Sequence, residues 1–137
     1  MLNLPPEHYG QWTHVRKAVA FLSAAKLVDE QENRTVDSWE VSYYLLSHAV
    51  ELIIKGVAEM KTGERAWGHD KEELSVKYRK VCTFSDEEMK IIKDLKELNN
   101  GQGGLRYENQ INGEFLPSTF EGGVKIVERL IVENFQG

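Results

Sequence analysis

Tyr44, His48, Glu51 and Lys55 follow one another along the chain at intervals of four, three and four. On a helix such intervals place the side chains on one face, where an imidazole, a carboxylate and an ammonium can hold a ligand or exchange protons. Around them lie the apolar residues Leu45, Leu46, Ala49, Val50, Leu52, Ile53 and Ile54. A polar stripe on such a helix must face solvent, a partner or a groove, because burying polar groups unpaired is costly. Glu51 and Lys55 also stand in the favourable order for an i,i+4 ion pair. The stripe therefore reads either as the solvated side of a packed helix or as the lining of a functional groove or dimer face.

Two further pairs could carry chemistry. In His69-Asp70, the aspartate suits an N-cap with Glu73 completing the box, and the histidine suits anchoring of the preceding loop. Acid–base work is the alternative for this pair. Arg106-Tyr107 follows a run with three glycines, Gly101, Gly103 and Gly104. An arginine beside a glycine-rich connection suits phosphate contact, and a tyrosine offers a stacking face. Arg106 is equally suited to capping the helix before it or to pairing with Glu108.

Other chemistries lack their residues. The glycine run has no Lys-Ser/Thr after it and follows no strand, so it is not a P-loop. There is no His-Glu-x-x-His, no paired carboxylate–histidine set for a di-metal bundle, and His8 and His14 are poorly spaced for two ligands on one helix. No metal or other cofactor is expected. Cys82 is the one cysteine, which excludes an intrachain disulfide and fits a reducing compartment. With no catalytic signature around it, it reads as a small buried apolar side chain.

The elements that must position these residues are helical. Prolines occur only at positions 5, 6 and 117, so the middle of the chain is free to form helices. Val15, Ala18, Val19, Leu22, Ala25 and Val28 recur at three and four, predicting a helix over about 11–30. Asp37 and Glu40 have the form of a capping box opening a second, central helix that runs to Met60, with Gly63 as its stop. A third helix is expected over about 70–81, with Leu74, Tyr78 and Val81 on one face. Ser85 and Glu88 form another box before a fourth helix carrying Met89, Ile92, Leu95 and Leu98. Ser118 and Glu121 are expected to open the last helix, with Phe120, Val124, Val127, Ile131 and Phe135 inward. Between them, 105–117 reads as irregular, with Asn112-Gly113 a candidate hairpin turn. The expectation is an all-α, up-and-down bundle of five helices in a single domain.

The chain has 137 residues, a formal net charge of −5 and 41% hydrophobic residues. That composition suits a folded core and argues against a dedicated DNA binder, which carries a basic excess. The Met1–Pro6 start has no basic, apolar leader and no stretch reaches membrane-span length, so a cytoplasmic protein without membrane association is expected.

Ser47-His48-Ala49-Val50-Glu51-Leu52-Ile53-Ile54-Lys55-Gly56, then Gly63-Glu64, His69-Asp70-Lys71-Glu72-Glu73-Leu74 and Tyr78, resemble the HEPN domain across roughly 40–110. Arg106-Tyr107 also stands where members often carry Arg-Tyr after the fourth helix. The resemblance implies a compact bundle that tends to dimerise. Many such proteins are RNases of toxin–antitoxin, CRISPR or stress systems; others accompany nucleotidyltransferases or act as binding modules. Catalytic members carry an arginine followed, after four to six residues, by a histidine at a cleft between protomers. Here all four histidines, His8, His14, His48 and His69, precede residue 70, and only three residues separate Arg65 from His69. RNA cleavage by acid–base catalysis needs a group titrating near neutrality.

The expectation is thus a non-catalytic, homodimeric HEPN-like module for a nucleotide, RNA or partner protein, from a defence or toxin–antitoxin setting. His48, Glu51, Lys55, Arg106 and Tyr107 would form its site, and His69 and Asp70 would anchor the loop. Two alternatives stand beside it: a divergent RNase using His48 or His69 with Arg106, and a purely structural partner subunit.

Overall fold

A computed structural model of the chain describes residues 13–31, 35–66, 68, 70–100 and 117–135. Five helices are found among them: α1 (Thr13–Asp29), α2 (Val36–Thr62), α3 (Lys71–Lys77), α4 (Asp86–Asn100) and α5 (Pro117–Phe135). No strand occurs among the described residues, so the all-α expectation holds. Arg106, Tyr107, His69 and the Asn112-Gly113 turn lie outside the described residues.

The longest helix, α2, is the axis of the bundle, packed against α1, α5, α4 and α3. Its apolar residues cover several faces, so neighbours must surround it. Leu46, Ala49, Val50, Ile53, Ile54 and Val57 are fully buried and meet Val15, Ala18 and Leu22 of α1, Ile92 and Leu95 of α4, and Val127, Leu130 and Ile131 of α5 in one core. Two glycines set the closest approaches. A Cβ on Gly56 would collide with Val15 Cγ2, and one on Gly123 would stand 2.8 Å from Leu46 Cδ2.

The helix ends differ from the expected ones in instructive ways. α2 is opened by Thr35, not by Asp37: its hydroxyl accepts from the Ser38 N–H at 3.2 Å, and Ser38 Oγ accepts from the Thr35 N–H at 2.8 Å. The two short motifs overlap, and the hydroxyl pair prevails. Gly63 closes α2 at φ 73°, a left-handed conformation open to glycine, as expected. The expected box at Ser85 and Glu88 is present, with bonds of 3.0 and 3.1 Å. α3 ends at Lys77 rather than near 81; Val81 and Cys82 N–H groups turn back to the Tyr78 carbonyl and drop Cys82 into the core. α5 starts at Pro117, one residue before Ser118, as suits a residue with fixed φ and no N–H to leave unsatisfied.

Cations from two helices hold the α3–α4 connection. Lys61 Nζ donates to the Val81 carbonyl at 2.7 Å, and Arg129 donates to the Thr83 carbonyl at 3.1 Å. Arg129 also makes a two-pronged contact to Glu88 at 2.9 and 3.1 Å.

Candidate functional site

The stripe on α2 does not face solvent. Glu51 and Lys55 retain only 7% and 6% exposure, which excludes the solvated-face alternative for them. They do form the expected i,i+4 ion pair, at 3.6 Å. Burial of this kind agrees with the position of α2, which has four helices packed against it.

Tyr44 and His48 are half-buried and belong to an aromatic contact rather than to the ion pair. The His48 ring stacks on Phe21 of α1, 5.4 Å between centroids and 28° between planes. Tyr44 meets it edge-on at 4.5 Å and 68°. His48 is thus packed between α1 and α2 as an aromatic surface.

The residue that the stripe did not announce is Lys71. It opens α3, is fully buried, and its Nζ has no hydrogen-bond partner among the described residues. Burial pushes its pKa from the ordinary 10.5 down to about 8; the charges of Glu51 and Asp70 oppose that fall, and Lys96 adds to it. Lys71, on α3, thus stands within electrostatic reach of Glu51 on α2. Its spacing was a signal: Lys71, Leu74 and Tyr78 fall at three and four, so the lysine lies on the same face as the apolar residues expected to be buried.

Asp70 caps α3. Its Oδ1 accepts from the Glu72 and Glu73 N–H groups at 2.9 and 3.3 Å, the N-cap pattern. Lys96 of α4 bridges Asp70 at 3.1 Å and Glu72 at 2.9 Å, pinning the start of α3 against α4. Burial pushes the Asp70 carboxyl up, but the Lys96 contact and the two N–H bonds outweigh it and hold its pKa below the ordinary value.

The structure pairs Glu51 with Lys55 and places the unforeseen Lys71, next to Asp70, within electrostatic reach of Glu51, while His48 stacks on Phe21 of α1. The HEPN domain family model matches residues 12–133. The chain belongs to the HEPN family. No curated protein and no solved structure gives a significant match to it.

Among the described residues, no group of three or more His, Cys, Asp and Glu side chains could hold a metal ion. No described helix is long and apolar enough to cross a membrane. These residues offer two lysines and two carboxylates, with the Lys71 ammonium lacking an acceptor among the described residues.

Proposed function

We propose that this HEPN chain is a non-catalytic binding module, acting as a homodimer, whose ligand is a phosphate-bearing nucleotide or RNA segment held at the junction of α2 and α3. The observation that carries this reading is the Lys71 ammonium, fully buried with no hydrogen-bond acceptor among the described residues. Burying an unpaired ammonium is expensive, and a phosphate oxygen would supply the acceptor it lacks once the α2–α3 junction opens to admit it. Lys55 would add a second positive charge, offset in the free protein by Glu51. Arg106 and Tyr107 are proposed to join the site from the segment after α4, whereas His48, expected in the site, stacks on Phe21 instead. A defence or toxin–antitoxin setting agrees with the family.

Isothermal titration with ATP and with a single-stranded oligoribonucleotide tests this. Saturable binding that weakens at least about tenfold in Lys71→Met and Lys55→Met is expected, since each removes one charge-assisted bond. Equal affinity in wild type and both variants would overturn the assignment. Cleavage of the oligoribonucleotide that disappears in His48→Ala would replace the module by a nuclease. A polypeptide that co-purifies with a protein indifferent to both probes would make it a structural subunit. Sedimentation at micromolar concentration should give a dimer.

A further inference from the structure

α3 is held unequally at its two ends. It is seven residues long, and Leu74 is the one hydrophobic side chain among the three it buries, the others being Lys71 and Ser75. Beyond its C-terminal end the chain is firmly gripped. Tyr78 packs against the core, the Val81 and Cys82 N–H groups return to the Tyr78 carbonyl, and Cys82 is buried. Lys61 and Arg129 hold the next carbonyls, those of Val81 and Thr83. At the N-terminal end the hold is electrostatic: Lys96 of α4 bridges Asp70 at 3.1 Å and Glu72 at 2.9 Å, and these side chains are 25–32% exposed. Ion pairs so exposed are individually weak.

Behind that weak end lies the Lys71 ammonium, fully buried and with no acceptor among the described residues. Glu51 and Asp70 attract it, but burial outweighs them, so any movement that wets this group recovers part of its cost. Lys96 repels it as well. That repulsion is the smallest of the influences on Lys71, so Lys96 acts chiefly through its two short bridges, as a latch. The chain approaches α3 through Gly68 at φ 123°, where a Cβ would stand 3.5 Å from Leu74 Cδ2. A glycine at this point can change φ at little steric cost and follow α3 if it moves.

We propose that α3 is a lid that swings about the clamped turn at Tyr78–Cys82 when the Lys96 bridges to Asp70 and Glu72 part, bringing the Lys71 ammonium into water where an anion can reach it. What then binds rests on the reading of Lys71 as a phosphate contact; the opening itself does not. Opening gives up the burial of Leu74 and two exposed ion pairs and restores the hydration of an ammonium, so it leaves the rest of the core packed. The affinity of a ligand admitted this way is reduced by the fraction of molecules that are open. Lys96 therefore sets that affinity from a position the ligand need not touch.

Two side chains of the chain itself report on the lid: Lys71, behind the latch, and Cys82, beyond the hinge in the core. The test is pulse labelling of the native protein with an amine acetylating reagent and, separately, with iodoacetamide, each site being followed by peptide mass spectrometry and compared with its rate in urea. In wild type, Lys71 should be protected at least about tenfold less than Cys82, because local opening needs less free energy than global unfolding. Lys96→Met, altered at a part-exposed position of α4, should label Lys71 about fivefold faster and leave Cys82 unchanged. Equal protection at the two sites would overturn the lid, as would a Lys71 rate unmoved in Lys96→Met. ATP or a single-stranded oligoribonucleotide at saturation should slow labelling of Lys71. Labelling of Lys71 ahead of Cys82 that neither probe slows would support the lid and retire the phosphate reading, so the two failures are distinguishable.

Discussion

Replacing Lys71 by methionine should make this protein more stable at neutral pH, although it removes a charge beside Glu51. Methionine keeps the length of the buried stem and discards the ammonium, which has no hydrogen-bond acceptor among the described residues. The magnitude follows from the displacement of the lysine pKa from 10.5 to about 8. At about 1.4 kcal/mol per pH unit, the charged form costs the fold about 3 kcal/mol. The sign is fixed by proton binding. Between pH 8 and 10.5 the unfolded chain holds this proton and the folded one does not, so stability rises with pH across that window and the full penalty stands below it. Urea denaturation followed by helical circular dichroism, for wild type and Lys71→Met from pH 6.5 to 10, measures the effect. The variant should lead by up to about 3 kcal/mol below pH 8, and its lead should shrink as pH rises. A variant that is less stable than wild type at pH 7, with a difference that does not change up to pH 10, would refute the reasoning. In the same variant, loss of nucleotide or RNA affinity would show that the stability penalty is retained for binding.

Other perturbations are sharper in what they address. Gly56→Ala should destabilise by about 1–3 kcal/mol in urea titrations, because the added methyl group meets Val15 and α1 must shift away from α2. Asp70→Ala should cost about 1 kcal/mol at pH 7 through the lost N-cap. Because the folded pKa of Asp70 lies below its ordinary value, its contribution is present above about pH 4 and is lost as pH falls through the folded pKa; wild type and variant should converge in acid. Burial pushes the Cys82 thiol up to about 11, so a thiol reagent at pH 8 should label it slowly in the native protein and rapidly in urea.

The helical core was legible because its signal is periodic. Val15, Ala18, Leu22 and Ala25 repeat at the helix period and are the buried residues of α1; Ile92 and Leu95 of α4 and Phe120, Val127, Ile131 and Phe135 of α5 behave alike. Ends were less legible, since Thr35-Ser38 and Asp37-Glu40 offer the same spacing two residues apart, and spacing alone does not choose between them. The site was half legible. The Glu51–Lys55 pair follows from i,i+4 order, but its burial does not, because a charged stripe reads the same whether water or another helix lies over it. Lys71 was hidden by its type: a lysine beside an N-cap aspartate is an ordinary surface residue unless its register with Leu74 is weighed against its charge. His48 shows the reverse, a residue whose type suggested a site and whose neighbours, Phe21 and Tyr44, give it a packing contact.

The clamps on the α3–α4 connection have a consequence for how this chain can vary. Lys61 and Arg129 hold it through the main-chain oxygens of Val81 and Thr83, atoms that every residue type possesses. Side chains at those two positions are therefore free to drift without loosening the clamps, whereas Lys61 and Arg129, one before the connection and one well after it, are not. Sequence divergence in this connection should be read as tolerance by the clamps, while a change at either distant cation would release the turn that carries Cys82 into the core.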